Sequence, residues 1–422
     1  MFNEVQSIVG KIVLYHKKEE CSGCGACFNV CPKQAIEMKS DEYGIVYPII
    51  NNDLCTCCGF CKDACNFQSE NVGNKVLEVF AAVSKDVNLI KKSASGGVFA
   101  TIAQEVLSEG GMVYGCSLES VKEKQRAVHI RIECQEELWK LQGSKYMQSD
   151  TNDVFKQVEQ DLKDERTVLF SGTPCQVAGL YGSLGNKPYH QLLTADLICH
   201  GVPSNQWFQS YLEVLEKRLK GEITNFIFRD KSKGWGKNAR LEYRDSKKHV
   251  KKKNIPAMLS SYYHLFLKSE ICRDSCYRCK YASETRSGDL SLGDYWGIQK
   301  EHPEYLVSQG GEMDDKTGIS CLLVNTQQGY NILQKYGTKL VRLPSTFENV
   351  AKYNTQLVKA CIKTEEREKI MELYRVQGYQ AVERYFSKRL GKKRYIYLLK
   401  SMIPIQLKML MKRYSSKYNL PV

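Results

Sequence analysis

Two cysteine runs of one spacing, Cys21-x-x-Cys24-x-x-Cys27-x-x-x-Cys31 and Cys55-x-x-Cys58-x-x-Cys61-x-x-x-Cys65, fall within the first 65 residues. Thiolates two residues apart on a tight loop reach three corners of one cubane, and the fourth cysteine of each run crosses to the other cluster. The spacing therefore predicts two 4Fe-4S clusters, one on Cys21, Cys24, Cys27 and Cys65 and the other on Cys55, Cys58, Cys61 and Cys31. Ser22-Gly23, Gly25-Ala26 and Gly59 are small enough to let backbone N–H groups turn toward the sulfurs and offset the cluster's negative charge. Pro32 closes the first run in the usual way. In the second run Asn66 stands in that place and Cys57 adds a thiol inside the loop. Paired zinc sites rarely run four cysteines so closely, so the chemistry these residues announce is one-electron transfer.

Further cysteines stand where strands should end. Val168-Leu-Phe leads into Ser171-Gly-Thr-Pro-Cys175-Gln, and Ala195-Asp-Leu-Ile leads into Cys199-His-Gly-Val-Pro203. The carboxyl ends of strands are where open α/β sheets place their sites. Cys272-x-x-x-Cys276-x-x-Cys279 then occupies a polar, basic loop. Cys175, Cys199, Cys276 and Cys279 make a candidate third cluster. A zinc knuckle on Cys272, Cys276 and Cys279 with one further ligand satisfies the same spacing. Cys116, Cys134, Cys321 and Cys361 lack such company and are expected to be buried apolar thiols.

The elements that must carry these groups suggest an α+β chain. A bacterial-type dicluster ferredoxin domain is expected over residues 1–75, a larger α/β domain over 76–380, and a basic helical tail over 381–422. Val76–Val83 reads as the first strand of the larger domain. Lys92-Ser-Ala-Ser-Gly-Gly97 follows, then Val98, Phe99, Ile102, Ala103, Val106 and Leu107 recur at helical spacing until Gly110-Gly111. Met112–Cys116 reads as the next strand. A glycine turn opening a helix offers free N–H groups to an anion such as a flavin phosphate, although most such turns are only turns.

Composition sets the outer limits. At 422 residues with 42% hydrophobic and 26% charged residues, the chain suits two or three soluble globular domains. No segment offers about 18 uninterrupted apolar residues, and Met1–Glu20 has no signal-peptide character. Eighteen cysteines without an export signal point to a reducing, cytoplasmic compartment. The net charge of +14 is unevenly placed, with eleven Lys or Arg and no acidic residue from Arg384 to Val422. That tail suits peripheral contact with an anionic membrane, an acidic partner, or helices packed on the main domain with their lysines in water. Lys247–Lys253 reads as a solvated hairpin. Neither basic run has the interleaved aromatics or the fold motif of a nucleic-acid binder.

Six motifs occur in order: Ser93-Ala-Ser-Gly-Gly97, Gly143-Ser-Lys-Tyr146, Gly172-Thr-Pro-Cys-Gln176, Asp196-Leu-Ile-Cys-His-Gly201, Cys276-x-x-Cys279 and Gly288-Asp-Leu-Ser-Leu-Gly-Asp294. Together they resemble the coenzyme F420 hydrogenase/dehydrogenase beta-subunit family, over about residues 76–300. The resemblance implies an FAD in the central domain and one 4Fe-4S cluster beside it, on Cys175, Cys199, Cys276 and Cys279. It implies that Ser95, Gly96, Gly97, Gly143, Ser144, Lys145 and Tyr146 line the flavin, with Thr173 and Pro174 close by. Cys272 has no counterpart and is expected to be a spectator or an alternative ligand. On this reading Lys145 stabilises the anionic reduced flavin and His200 supplies a proton, both as catalytic residues.

The expected function is an iron–sulfur flavoprotein oxidoreductase acting on a small-molecule substrate, with a redox partner protein or small electron carrier. The alternative is a non-catalytic electron-transfer subunit of a larger redox complex. A zinc-bearing nucleic-acid adaptor would leave the ferredoxin spacing and the glycine motifs without a use.

Overall fold

The structure is a computed structural model and describes residues 11–69, 73–121 and 124–403. Mixed helix and sheet follow an N-terminal ferredoxin-like unit, whose hairpin pairs β1 (Ile36–Ser40) with β2 (Val46–Ile50) antiparallel. The connecting turn closes on the Asp41 carboxylate, which accepts from the amides of Tyr43 and Ile45, while Gly44 takes the left-handed φ of 72° that the turn needs. A two-stranded ribbon of β3 (Asn74–Lys75) and β12 (Thr285–Arg286) ties the exit of this unit to a distant part of the chain.

The centre of the molecule is an eight-stranded sheet. Its strands are β4 (Glu78–Ser84), β5 (Met112–Val121), β6 (Lys124–Ile132), β7 (Val168–Gly172), β8 (Leu192–Leu197), β13 (Leu290–Asp294), β14 (Ser320–Val324) and β15 (Leu340–Ser345), in the order β15-β4-β14-β13-β8-β7-β5-β6. Neighbours β5, β7, β8 and β13 run parallel, and the remaining pairs are antiparallel. Every residue of β7 is buried, as a central parallel strand covered on both faces requires. Its side chains divide by alternation. Leu169 joins the core under the helix Val98–Ser108, whereas Val168 and Phe170 join the opposite core with the helices Val154–Lys163 and Pro174–Ser183. The strands and the first helix predicted from residue 76 onward are present, each within a few residues.

A separate antiparallel sheet of β9 (Gly221–Ile227), β10 (Asn238–Asp245) and β11 (Val250–Pro256) packs with the helices Asn205–Leu219, Ser261–Leu267 and Glu365–Leu390 around a third core rich in aromatics. Ile45 and Tyr47 of the ferredoxin unit are part of this core. The basic run Lys247–Lys253 forms the exposed turn and strand of the β10/β11 hairpin. The expected boundary at 380/381 falls inside the helix Glu365–Leu390, two residues beyond the Gly378 kink, and Val382, Phe386 and Leu390 after it are buried. The helix Lys393–Met402 exposes Tyr395, Ile396, Leu398 and Leu399. Residues 404–422 of the expected tail lie outside the described residues. Among the described residues no helix is long and apolar enough to cross a membrane.

Candidate functional site

Cysteines of the two ferredoxin runs mix in space, Cys31 of the first run lying with three of the second. Cys31, Cys55, Cys58 and Cys61 line one small enclosed space. Cys21, Cys24, Cys27 and Cys65 form the other set, with Cys21 and Cys65 among the charges nearest Cys24 and Cys27. Gly25 and Gly59 open the short helices Ala26–Val30 and Phe60–Asp63 at a φ of 84°, the left-handed conformation that turns the backbone around the sulfurs. Burial pushes Cys24 up to about 12 when no cation is near, the reverse of what bound iron imposes on a thiol.

The first set abuts a second group of cysteines. Gly179 lies in the helix Pro174–Ser183, and a Cβ there would stand 2.8 Å from Cys24 Sγ, so the helix that begins beside Cys175 rests directly on the ferredoxin unit. Arg273, almost wholly buried, completes the junction. It donates to the carbonyls of Cys21 (2.9 Å) and Val46 (3.2 Å) and to Gln148 Oε1 (2.5 Å).

Cys175, Cys199, Cys276 and Cys279 share a cavity of about 520 Å³, although 104 residues separate the first from the last. Cys175 occupies the first turn of a helix closed by a Thr173–Gln176 capping box, and Thr173 Oγ1 lies 3.1 Å from its sulfur. Cys199 follows β8, and Cys276 and Cys279 come from the loop that Arg273 anchors. Burial raises Cys279 to about 11. Four convergent thiols around a roomy cavity suit a cubane's corners.

The expectation for the isolated thiols needs correction. Of Cys116, Cys134, Cys321 and Cys361, only Cys321 is buried. Cys116 lines the neighbouring cavity, and Cys361 lines the cysteine cavity beside the fully buried Cys272. The neighbouring Cys272 thiol lowers the pKa of Cys361 against the burial that raises it. Chain spacing gave no sign of this pair, because 89 positions separate its members.

The second cavity, about 480 Å³, opens at the carboxyl ends of β7, β8 and β13 and shares Thr173, Cys199, His200, Gly201 and Val202 with the first. Ser95, Gly97, Gly143, Ser144, Lys145, Tyr146 and Thr173 line it. Gly96 is packed behind the wall, where a Cβ would meet the Ala82 carbonyl at 2.4 Å, and Pro174 faces the cysteine cavity. Gly97 starts the helix Val98–Ser108 at φ 83° without a side-chain cap, and this first turn lines the cavity. Lys145 donates to the carbonyls of Lys140 (2.8 Å) and Gln142 (2.9 Å), and desolvation lowers its pKa to about 8. His200 Nε2 lies 3.2 Å from both the Phe266 carbonyl and Ser269 Oγ, and burial lowers its pKa.

Arg229 is the principal residue that sequence reading missed. It makes a two-pronged ion pair with Asp294, 2.7 Å at each contact, and donates to Tyr146 Oη (3.1 Å) and the Ala94 carbonyl (3.2 Å). It therefore joins the 93–97 turn, the 143–146 turn and the end of β13. The only sequence signal was an arginine at the end of the apolar run Asn225-Phe-Ile-Phe-Arg229. An uncapped helix start in one cavity with Lys145, Arg229 and Lys237 is chemistry that suits an anionic group.

Comparison with known proteins gives the same order of parts. Residues 20–69 match the family described as 4Fe-4S dicluster domain. Residues 79–156 and 165–342 match Coenzyme F420 hydrogenase/dehydrogenase, beta subunit, N-term and C terminus respectively. Uncharacterized protein MJ1349 of Methanocaldococcus jannaschii is 24% identical over 208 residues, 41% of this chain, which thus spans only 56% of that relative's length. Uncharacterized ferredoxin MJ0722 of the same organism is 33% identical over 75 residues, 18% of this chain and 90% of its own. A chain of the F420-reducing NiFe hydrogenase complex from Methanosarcina barkeri aligns at a TM-score of 0.42 and 15% identity, covering 72% of this chain and 94% of that one.

Proposed function

Because the chain belongs to the coenzyme F420 hydrogenase/dehydrogenase beta-subunit family and carries a 4Fe-4S dicluster domain, we propose that it is an iron–sulfur flavoprotein oxidoreductase exchanging electrons between three 4Fe-4S centres and one FAD. In this reading Cys21, Cys24, Cys27 and Cys65 hold one cluster, Cys31, Cys55, Cys58 and Cys61 a second, and Cys175, Cys199, Cys276 and Cys279 a third. Ser95, Gly97, Gly143, Ser144, Lys145, Tyr146 and Thr173 border the FAD, with Gly96 and Pro174 shaping the wall from behind. Residues 1–75 are the dicluster domain and the flavin domain starts at 76 and runs past the expected boundary at 380 to Leu390, the tail following it, in a protein working in the reducing cytoplasm.

The observation that carries this reading is the wall common to the two cavities. A flavin takes electrons in pairs and releases them singly, so a one-electron centre immediately beside it is what such a carrier needs. The chain's own residues position and charge the site. Lys145 places positive charge at the cavity, Arg229 in its pair with Asp294 fixes the turns around it, and the His200 imidazole, neutral above its lowered pKa, can pass a proton at Nε2. The family description favours a second reading, an electron-transfer subunit whose substrate site belongs to another chain. Turnover of an artificial acceptor by the isolated chain supports the first reading, and its absence from protein with a full cofactor load supports the second.

Anaerobic purification followed by iron, acid-labile sulfide and flavin analysis is expected to find about twelve irons and one flavin per chain. Zinc in place of iron, or no flavin in freshly prepared protein, would overturn the assignment.

The Lys145 environment adds a pH dependence. An anionic flavin binds best to the protonated ammonium, which prevails below its lowered pKa of about 8. Flavin affinity is expected to be level from pH 6 to 7 and then to weaken toward a limit of about tenfold per pH unit above 8. A titration of flavin-depleted protein across that range tests this, and Lys145→Met should flatten the slope.

A further inference from the structure

We propose that Cys272 and Cys361 form a redox-active dithiol/disulfide couple beside the third cluster site, able to reduce a small disulfide. The inference rests on the cluster reading above but concerns two cysteines that reading leaves unused.

Geometry brings the pair together at one glycine. A Cβ on Gly201 would stand 2.9 Å from Cys272 Sγ and 3.1 Å from Cys361 Sγ, so both sulfurs crowd the one point where the backbone has no side chain. Gly201 has a φ of 108°, a conformation open to glycine and strained for other residues. It lies two residues after Cys199, and the Cys361 thiol donates to the intervening His200 carbonyl at 2.7 Å. The couple is thus seated on the strand-end loop that carries one of the four cavity cysteines.

The two thiols are unequally placed, which assigns them attacking and resolving roles in thiol–disulfide exchange. Cys361 is partly exposed at the cavity wall, on an irregular stretch between the helices Phe347–Ala351 and Glu365–Leu390. Cys272 is fully buried behind it. Cys361 attacks one sulfur of a disulfide R–S–S–R′, forming the mixed disulfide Cys361–S–S–R and releasing R′–SH. Cys272 then displaces R–SH and closes the Cys272–Cys361 bond. Two protons from solvent and two electrons reopen it, the electrons arriving singly from a low-potential one-electron reductant, the class that charges a dicluster domain.

The test uses anaerobically prepared holoprotein with dithiodipyridine as the probe disulfide. After oxidation, free thiols are alkylated and the protein is digested without reductant, while a parallel sample is first treated with reduced methyl viologen. The expected result is a Cys272–Cys361 crosslinked peptide in the first sample and its absence from the second, with iron unchanged in both. Alkylation of both cysteines after oxidation, or a crosslink that survives the viologen, overturns the proposal. Cys361→Ser should abolish the crosslink and keep the full iron content. A loss of about four irons would instead make Cys361 a cluster ligand and end the proposal. A wild-type preparation with about eight irons fails the third-cluster assignment, whereas the peptide map still decides the couple.

Discussion

Arg229→Met is expected to destabilise the protein by about 3–5 kcal/mol and to leave it without bound flavin, because it strands the Asp294 carboxylate in a largely dry wall. Asp294 keeps a neutral partner in Trp235 Nε1 at 2.7 Å, but only the more distant ammonium charges of Lys231 and Lys237 then offset its own. The loss is also architectural, since Arg229 holds the Ala94 carbonyl and Tyr146 Oη together in the cavity wall. Removing both charges separates the two effects. Arg229→Met with Asp294→Asn should recover most of the stability and none of the flavin binding. Denaturant unfolding and the visible spectrum of the purified protein read these two quantities. A yellow Arg229→Met variant with unchanged stability would remove Arg229 from the site.

Arg286→Ala is expected to cost a similar 3–5 kcal/mol, through a pair buried more deeply. Arg286 Nη2 meets Asp196 Oδ1 at 2.6 Å with both side chains at 1% exposure or less. The same carboxylate accepts from the amides of Ser287 (3.0 Å) and Gly288 (2.9 Å), while Arg286 also donates to Ser291 Oγ and the Tyr281 carbonyl. This network fixes β8, three residues before Cys199, to the segment that follows Cys279. Its loss should therefore loosen the cysteine cavity, and about four irons per chain should be missing from the variant. Asp196→Leu with Arg286→Met, which leaves no buried charge, should restore much of the stability. A single variant with wild-type unfolding behaviour and a full iron load would show that the pair is dispensable.

Arg229 and Arg286 show where sequence reading stopped. Gly288 and Gly293 were visible as part of one motif, but their purpose is contact. A Cβ at Gly288 would stand 2.8 Å from the Asp196 amide, and one at Gly293 would stand 2.8 Å from Ile198 Cδ1, so both glycines let β13 lie close against β8. The motif announced that something was constrained, and only the strand order showed what. The same holds for the tail, where a boundary placed by charge at 380/381 falls just past the break at Gly378, in a helical segment that stays packed through Leu390.

What the chain alone determined was chemistry written over short spans. Cysteines at a three-residue spacing direct their sulfurs to a shared centre by local backbone geometry, so the two ferredoxin runs and the apolar run of β7 could be read directly. The tertiary structure decided whatever depends on residues far apart in sequence. The sheet order puts the ends of β7, β8 and β13 side by side, and packing of other elements against those ends brings Cys276 and Cys279 to Cys175 and Cys199, Arg229 to Asp294, and Cys272 to Cys361. Local propensity does not encode that order. It is set by which hydrophobic faces can be buried together, a property of the whole fold.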